Sequence, residues 1–399
     1  MPRLSSLLAL AAVPLVLAHS NHQTADLTAE EIANKDAWFS KYGKTGDLSF
    51  TGVTSFAHLP HVRCLDEPGQ ELDVAIIGMP FDSAVSFRPG ARFGPFGIRS
   101  GSRRQTKIRG YSSVTGINPY QSGYSVIDCG DVPISPFDPS IAIPQVADAY
   151  ASLLSRKVPN ATAFEGLGFA KGLDGELHPR VISLGGDHTI VLPILESLHS
   201  VYGPISVIHF DAHIDTWNPK RYMGSLSPQA DINHGTFFWH AYEKGFIKPG
   251  ANIHAGIRTR FSGPEDLQDD VTAGFDLIHT YDLDDMGLEG ITRKIKSRVG
   301  NGPVYISLDI DVADPSAAPA TGTPESGGWS SRELRRIVQS MKGLNIVGMD
   351  IVEVAPAYDT NAELTSILAA DLVYDFLNVL AGGVDGRQIQ EKTAVHEEL

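Results

Sequence analysis

Residues 205–215, ISVIHFDAHID, join a nearly continuous apolar run to a group of carboxylate and imidazole side chains. The apolar part has the length of a strand and does not alternate with polar residues, which is typical of a parallel strand covered on both faces. The polar part follows where that strand would end. Ligand sites of parallel α/β sheets lie at the carboxyl ends of their strands. This stretch therefore predicts both a fold class and the place of a functional site.

Seven further apolar runs of the same kind occur along the chain. Helix-length stretches separate them, including residues 141–154, 190–202 and 331–341, and residues 363–380 have the clearest amphipathic helical pattern. The alternation predicts one α/β domain, with three α/β/α layers around an eight-stranded, mainly parallel sheet. The other predicted strands are LDVAIIG (72–78), YSVIDCG (124–130), RVISLGG (180–186), ANIHAGI (251–257), FDLIHTYD (275–282), PVYISLDID (303–311) and LNIVGMDIV (344–352).

Size and charge narrow the class of partner. The 399 residues, 42% of them hydrophobic, are enough for one large core or at most two domains. A formal net charge of -15 argues against a nucleic acid or an anionic membrane as partner. It is compatible with a cationic small substrate, although an acidic surface also simply keeps a protein soluble.

The first residues, MPRLSSLLALAAVPLVLAHS, have the pattern of a secretory leader: a basic start, a short apolar run and small residues before a cleavage point. We expect residues 1–18 to be a removed signal peptide, with a buried N-terminal helix as the alternative. Residues 19–45 would form an N-terminal arm, 46–382 the folded domain and 383–399 a polar tail. The mature protein would then be secreted, and no later run is long enough to hold it in a membrane.

Two further features bear on secretion. Cys64 and Cys129 are the only cysteines, and they form either a disulfide or two free buried thiols. Asn160 begins the single N-glycosylation sequon, Asn-Ala-Thr, in a polar stretch where an exposed loop is expected. Such sequons are also common by chance.

Three predicted strands end in acidic and imidazole side chains. Residues two apart on an extended chain point to the same side, so the side chains of each group can converge. Any one group alone is commoner as a turn, a helix cap or a solvated loop, but three at three strand ends favour a metal site. The mixed ligands suit Mn²⁺, Zn²⁺, Co²⁺ or Fe²⁺, and the carboxylate-rich balance favours Mn²⁺. The residues are His188, Asp211, His213, Asp215, Asp309 and Asp311.

These segments carry a resemblance to a known family. GGDHT (185–189), DAHIDT (211–216) and SLDIDVADPS (307–316) resemble the three signature segments of the ureohydrolases, the arginases and agmatinases. The likeness extends to SFAHLPHV (55–62), residues 79–99, PATGTPESGGW (319–329) and MDIVEVAP (349–356), and so covers roughly residues 45–380. It implies an arginase-like fold and hydrolysis of a guanidinium compound to urea and an amine.

The resemblance also implies a role for each site residue. Two Mn²⁺ ions per subunit would share a hydroxide that attacks the guanidinium carbon, and Asp215 would orient it. Glu353 would receive the guanidinium, His234 would carry a proton to the leaving amine, and Thr323 would support the second metal. The first ion would be held by His188, Asp211, Asp215 and Asp309, and the second by His213 and Asp311, with Asp211 and Asp309 bridging both.

The position of Trp217 narrows the choice of substrate. In the family pattern, arginases have an asparagine at this position, and its amide binds the amino-acid head of arginine. The indole of Trp217 cannot replace that amide, because its only polar group is a donor. The pattern DAHIDTW is closer to agmatinases and guanidinobutyrases, so agmatine is the expected substrate and 4-guanidinobutyrate the alternative, with Trp217 beside the substrate. The family resemblance further implies a trimer or hexamer.

Two other classes are weighed against this interpretation. Metal-dependent deacetylases are similar to the ureohydrolases in general fold, but they carry one metal and a paired-histidine motif. No adjacent His-His pair occurs in this sequence. An inactive protein that binds guanidines or polyamines would be expected to lack a metal ligand. All six ligand positions carry the residue type that the family pattern requires.

Overall fold

The carboxyl ends of eight strands form one edge of a single sheet, and the candidate site lies along that edge. The structure, a computed structural model, describes residues 37–42 and 46–383. The predicted signal peptide, most of the predicted arm and nearly all of the predicted tail lie outside these residues. The chain divides into two compact units, residues 1–48 and 49–399, and the described part of the first contains the helix Ala37–Tyr42.

All pairs of neighbouring strands in the sheet are parallel, so the prediction of a mainly parallel sheet is confirmed. The spatial order is β2-β1-β3-β8-β7-β4-β5-β6. The four strands predicted to end in functional residues, β3, β8, β7 and β4, are therefore consecutive neighbours. The strands are β1 (Val74–Met79), β2 (Val126–Asp131), β3 (Arg180–Gly185), β4 (Ser206–Phe210), β5 (Asn252–Ile257), β6 (Phe275–His279), β7 (Val304–Leu308) and β8 (Ile346–Ile351).

Helices cover both faces of the sheet. Alternate residues of one strand enter two separate buried clusters: Ile76 packs with the helices on one face, and Ile77 packs with those on the other. This division confirms the three-layer arrangement. The α-helices of this unit are α1 (Gly94–Gly101), α2 (Pro139–Leu154), α3 (Ala161–Gly166), α4 (Val191–Tyr202), α5 (Phe237–Glu243), α6 (Pro264–Thr272), α7 (Asp282–Val299), α8 (Ser331–Gln339) and α9 (Leu364–Ala381).

Helix α9 differs from the amphipathic helix predicted for residues 363–380. Among the described residues, it is the one helix long and apolar enough to cross a membrane, but 72% of that apolar stretch is buried inside the protein. Its acidic residues do not form a solvent face, because Asp375 is buried and accepts hydrogen bonds from Arg335 of α8. Burial on most sides explains its apolar composition.

The two cysteines form a disulfide, which decides between the two alternatives that the sequence left open. It joins the segment before β1 to edge strand β2. Asn160 lies at the start of α3, where it is exposed and its side-chain amide donates a hydrogen bond to Asp73. The predicted exposure of the sequon is therefore observed, at a helix start.

Candidate metal centre

Six side chains from the ends of β3, β4 and β7 meet in one place, and we call them the carboxylate–histidine cluster: His188, Asp211, His213, Asp215, Asp309 and Asp311. Five of the six side chains are nearly or completely buried, and the side chain of His213 is 15% exposed. The convergence predicted from three strand ends is confirmed. It follows from the strand order, which makes β7 the neighbour of β4 and places β8 between β7 and β3.

One half of the cluster surrounds Nδ1 of His188. This nitrogen lies 3.2 Å from Asp211 Oδ2, 3.0 Å from Asp215 Oδ2 and 3.5 Å from Asp309 Oδ2. It nevertheless makes no hydrogen bond, and neither does Asp211 Oδ2, although both atoms are buried. This nitrogen and the three carboxylate oxygens are four donor atoms that face one another, and the nitrogen forms no hydrogen bond. Such an arrangement is suited to binding a cation.

The other half surrounds Nδ1 of His213, which lies 3.2 Å from Asp211 Oδ1 and 3.0 Å from Asp311 Oδ2. The two oxygens of Asp211 thus face the two histidines, the geometry expected of a bridging carboxylate. Oδ1 of Asp211 also accepts the backbone N–H of His213 over 2.6 Å, and Oδ1 of Asp309 accepts that of Asp311, so both bridging roles stay predictions. Thr323 Oγ1 lies 3.4 Å from Asp311 Oδ2, where it can support that carboxylate.

A buried hydrogen-bond chain orients the ring of His188. Ser307 Oγ donates to Asp350 Oδ1 over 3.1 Å and lies 2.8 Å from His188 Nε2. Because the single hydroxyl proton of Ser307 goes to Asp350, Nε2 of His188 must carry the proton of that contact. Nδ1 then presents a lone pair to three carboxylates. Such an arrangement is repulsive unless a cation lies between the groups, and a proton donated from the distal ring nitrogen is typical of metal-binding histidines.

The pKa values of the cluster residues also reflect the close packing of buried carboxylates. Burial raises the pKa of Asp311 to about 6, and the negative charge of Asp211 adds to the effect. Burial and the charge of Asp311 raise the pKa of Asp309 well above its ordinary value. Burial opposes a charge on His188, but the three facing carboxylates outweigh this effect and raise its pKa well above the ordinary value. The cluster therefore binds protons when it lacks another cation.

Two site residues have left-handed backbone conformations. Asp215 has φ 53° and Glu353 has φ 61°, a region that favours glycine. Each such residue costs about 1–3 kcal/mol and persists only where its surroundings enforce it. Asp215 lies five residues after the end of β4 and Glu353 two residues after the end of β8, so both lie at the carboxyl edge of the sheet.

Glu353 and His234 form a second group beside the cluster. Glu353 Oε1 accepts the backbone N–H of His188 over 3.0 Å and lies 3.2 Å from His234 Nδ1. Glu353 Oε2 is buried and has no hydrogen-bond partner. His234 Nε2 lies 3.0 Å from the backbone nitrogen of Ser86, which can only donate, so Nδ1 carries the proton that goes to Glu353. Burial alone would lower the pKa of His234, but Glu353 raises it above its ordinary value.

Trp217 lies near the cluster with its polar atom already engaged. Its ring centroid is 6.3 Å from that of His213 and 5.8 Å from that of Tyr222. Its indole N–H donates to Asp266 of α6 over 3.3 Å. Trp217 does not line the cavity of about 520 Å³ that opens beside His234, so its predicted place beside the substrate stays a prediction.

Several buried polar residues of the site were missed by the sequence analysis. His209, which was not among the predicted ligands, lies with Nε2 2.9 Å from Asp211 Oδ2. Its position two residues before Asp211 on the same strand was a usable signal, since such residues share a face. Asp187 lies against Glu353, and burial raises its pKa to about 7. Ser86 contacts His234 from a loop that no spacing rule connects to it.

The parallel sheet and the cluster at its carboxyl edge define a metal-binding α/β enzyme. Residues 72–378 match the model of the arginase family. The chain is 46% identical, over 88% of either chain, to a Schizosaccharomyces pombe protein provisionally named agmatinase 1. It is 35% identical to the guanidinobutyrase of Pseudomonas aeruginosa, covering 84% of this chain and 94% of that one.

A solved structure agrees with these relatives. The proclavaminate amidinohydrolase of Streptomyces clavuligerus superimposes with a TM-score of 0.71 at 32% identity, covering 84% of this chain and 99% of that one. The chain belongs to the arginase family, and it is an amidinohydrolase. This membership confirms the predicted fold and enzyme class and argues against the deacetylase alternative.

Proposed function

We propose that this enzyme hydrolyses agmatine to putrescine and urea, using two Mn²⁺ ions held by the carboxylate–histidine cluster. One observation carries the proposal: Glu353 Oε2, a buried carboxylate oxygen without a hydrogen-bond partner, lies beside a cluster suited to two cations. A buried anionic oxygen without a partner is costly, and a planar guanidinium is a suitable partner for it.

The chemistry of the donors supports a pair of divalent ions. His188, Asp215 and Asp309 would hold one ion, His213 and Asp311 the other, and Asp211 would contact both through its separate oxygens. The carboxylate-rich set suits Mn²⁺ better than a soft metal. When bound, such a pair supplies a water with a pKa of about 7, and hence a nucleophile at neutral pH.

Glu353 positions the carbon that is attacked. Its Oε1 is already occupied by the backbone N–H of His188 and by His234, so only Oε2 is free to accept a guanidinium N–H. The His188 contact fixes Glu353 relative to the metal-binding half of the site. A substrate held by Oε2 therefore has its guanidinium plane located with respect to the cluster.

His234 supplies the proton that the leaving group needs. Water adds to the guanidinium carbon, the bond from that carbon to the alkyl nitrogen breaks, and the amine leaves after it gains a proton. His234 is buried between Ser86 and Glu353, and its raised pKa lets it hold a proton near neutral pH. A proton donor of this kind contributes about 10²–10⁴-fold to the rate.

The cavity beside His234 supports a cationic rather than an anionic substrate tail. Its lining contains no lysine or arginine side chain to bind a carboxylate. The lining also contains no acidic side chain, so an ammonium group would be bound by the oxygens of hydroxyl and amide groups. The net charge of -15 also favours approach of a cation. The lining residues with polar side chains are Ser83, Ser86, Tyr222, Ser227, Gln229, Asn233 and His234.

4-Guanidinobutyrate is the second candidate substrate, because a guanidinobutyrase is among the similar proteins. Urea release from agmatine, 4-guanidinobutyrate and arginine by the Mn²⁺-loaded enzyme separates the candidates. We expect the highest kcat/KM for agmatine. A higher value for 4-guanidinobutyrate would reassign the substrate, and no urea from any of the three would overturn the proposed function.

We also propose that the enzyme enters the secretory pathway, is glycosylated at Asn160 and assembles into a trimer or hexamer. The disulfide between Cys64 and Cys129 supports an oxidising compartment, and the exposure of Asn160 supports access for glycosylation. The assembly rests on the family resemblance. Mass spectrometry of the secreted protein and light scattering test these three statements.

A further inference from the structure

A buried carboxyl group that follows β3 joins two distant parts of the chain. Asp187 has no exposed surface. Its Oδ1 accepts the backbone N–H of Thr189 over 2.9 Å, and its Oδ2 accepts the backbone N–H of Ala84 over 3.1 Å. The first contact caps the short turn His188–Ile190, and the second reaches a loop that is 103 residues away in the sequence. Each oxygen of Asp187 therefore fixes a different segment.

The loop that Asp187 reaches is one wall of the cavity beside His234. We call residues 83–86 the cavity loop, because all four of them line that cavity. The carbonyl oxygen of Ala84 accepts the backbone N–H of His234 over 3.3 Å, and Ser86 Oγ lies 2.8 Å from His234 Nε2. The position of the cavity loop therefore sets the position of this histidine.

Capping of the turn does not account for a carboxyl group at this place. One oxygen is enough for a cap, and serine or asparagine would cap the turn as well. Neither of them would place a second carboxyl group beside Glu353, whose charge acts on Asp187. Burial of one carboxyl group next to another costs free energy. The feature that a simple cap lacks is the second oxygen, and that oxygen is bound to the cavity loop.

The backbone of Asp187 is itself fixed to the sheet. Its N–H donates to the carbonyl oxygen of Phe81 over 2.6 Å, and the N–H of Gly186 donates to that of Met79 over 2.9 Å. A side chain at Gly186 would overlap the carbonyl oxygen of Phe81. The carbonyl oxygen of Gly186 in turn accepts the backbone N–H of Glu353 over 2.9 Å. Asp187 is thus held relative to both β1 and Glu353, and its side chain extends that framework to the cavity loop.

We propose that Asp187 is a positioning residue that anchors the cavity loop, so that Ala84 and Ser86 hold His234 and the cavity wall in place for the substrate. This inference rests on the proposed function for the role of His234, and it adds the group that sets the position of that histidine. The anchor consists of accepted backbone N–H groups and involves neither metal ion.

The substitution D187N separates capping from anchoring. Asparagine caps helical turns as well as aspartate does, but its amide has a single oxygen and can accept only one of the two N–H groups. We expect that oxygen to stay with Thr189, so that the N–H of Ala84 loses its acceptor. Hydrogen exchange of the Mn²⁺-loaded protein, followed by mass spectrometry, measures the release of the loop. We expect exchange in peptides that cover residues 83–87 to become about tenfold faster.

Steady-state kinetics measure the consequence for the site. We expect D187N to retain two Mn²⁺ ions and to lose about 10- to 100-fold in kcat/KM for agmatine. KM should rise because the cavity loop is a wall of the cavity, and kcat should fall because His234 loses its support. S86A removes the hydroxyl contact with His234. Because both substitutions act through one loop, the loss in D187N/S86A should be at least about twofold smaller than the product of the single losses.

D73N is the matched control. Asp73 also has no exposed surface and accepts two backbone N–H groups, those of Ser125 and Asn160, but it precedes β1 at the opposite edge of the sheet. We expect D73N to lower the melting temperature and to retain the wild-type KM. Exchange at the cavity loop should also stay at the wild-type rate in this variant.

The outcomes separate this inference from the function on which it rests. Wild-type exchange at the cavity loop in D187N overturns the proposal, as do losses that multiply in D187N/S86A or an equal rise of KM in D73N. Loss of Mn²⁺ from D187N would assign its effect to the turn at His188 and would also overturn the anchoring role. A wild-type enzyme that releases no urea from agmatine, 4-guanidinobutyrate or arginine overturns the proposed function instead. The exchange experiment needs no substrate, so it still decides whether Asp187 anchors the loop.

Discussion

Glu353 offers one oxygen to His234 Nδ1 at 3.2 Å and leaves its other oxygen buried without a hydrogen-bond partner. The pairing divides the carboxylate between two tasks, since Oε1 fixes the site and Oε2 is left for substrate. The following predictions begin from this division.

Replacing Glu353 with glutamine should impair guanidinium binding and catalysis while metal content stays near that of the wild type. The amide is nearly isosteric but loses the charge that a guanidinium requires, and the loss of a charge-assisted contact in a buried site is expected to lower kcat/KM about 10²–10³-fold. Urea release and metal analysis measure the two effects. E363Q is a matched control, because Glu363 also has a positive φ but lies at the start of α9. Normal activity in E353Q would contradict the assignment.

Replacing His234 with asparagine should lower kcat about 10²–10⁴-fold and remove one limb of the pH–rate profile. The substitution removes the group that holds the proton for the leaving amine. A purely structural role would lower the activity without changing the shape of the profile, so that shape decides between the two. H61N serves as the control, since His61 is exposed.

Replacing His213 with alanine should abolish turnover with little loss of fold. The side chain is 15% exposed, the most of the six, and among the described residues it is the one histidine facing Asp311. We expect a near-native melting temperature and a reduced Mn²⁺ content. Full activity of H213A with manganese would show that the two-metal assignment is wrong.

The stability of the metal-free protein should fall as pH rises from about 4 to 7, whereas the Mn²⁺-loaded protein should show the opposite slope. The pKa of Asp311 is raised from an ordinary 3.8 to about 6, chiefly by burial and then by Asp211, so the native state holds a proton that the unfolded chain releases. This stabilisation is complete at low pH and is lost as pH rises through about 6. Metal binding requires the ionised form and strengthens over the same range. Urea unfolding of both forms across this pH range measures the slopes, and parallel slopes would contradict the prediction.

Removal of the disulfide by the double substitution C64A/C129A should lower the free energy of unfolding by about 4 kcal/mol, since the bond closes a loop of 65 residues. The activity of the folded fraction should be unchanged, because the bond joins the edge of the sheet and no residue of the cluster. Urea unfolding with and without reductant provides the measurement. A reductant that lowers the stability of the double variant as much as that of the wild type would show that the bond is not the cause.

The fold and the six cluster residues were predictable from sequence because both depend on short-range patterns. Continuous apolar runs mark parallel strands, and spacing of two residues places Asp211, His213 and Asp215 on one side of the chain. The roles of Glu353 and His234 came instead from family resemblance, and the geometry brings these two residues together.

Contacts that depend on strand order were not predictable in this way. His209 and His254 meet only because β4 and β5 are neighbours in register, with His209 opposite His254. Asp270 reaches His254 from helix α6, and no spacing in the sequence connects the two residues. The disulfide between Cys64 and Cys129 was unpredictable for the same reason, since nothing near either cysteine in the sequence indicates the distance between them in the fold.

The left-handed backbone conformation at Asp215 and Glu353 creates a trade-off between activity and stability at these two positions. Glycine would adopt these conformations without steric conflict, so either substitution relieves the protein of the conformational cost of the left-handed backbone. The same change deletes a group that the chemistry requires. Mutation to glycine at these two positions would therefore accumulate in the absence of selection and give an inactive protein. Only selection for turnover would retain the carboxylates.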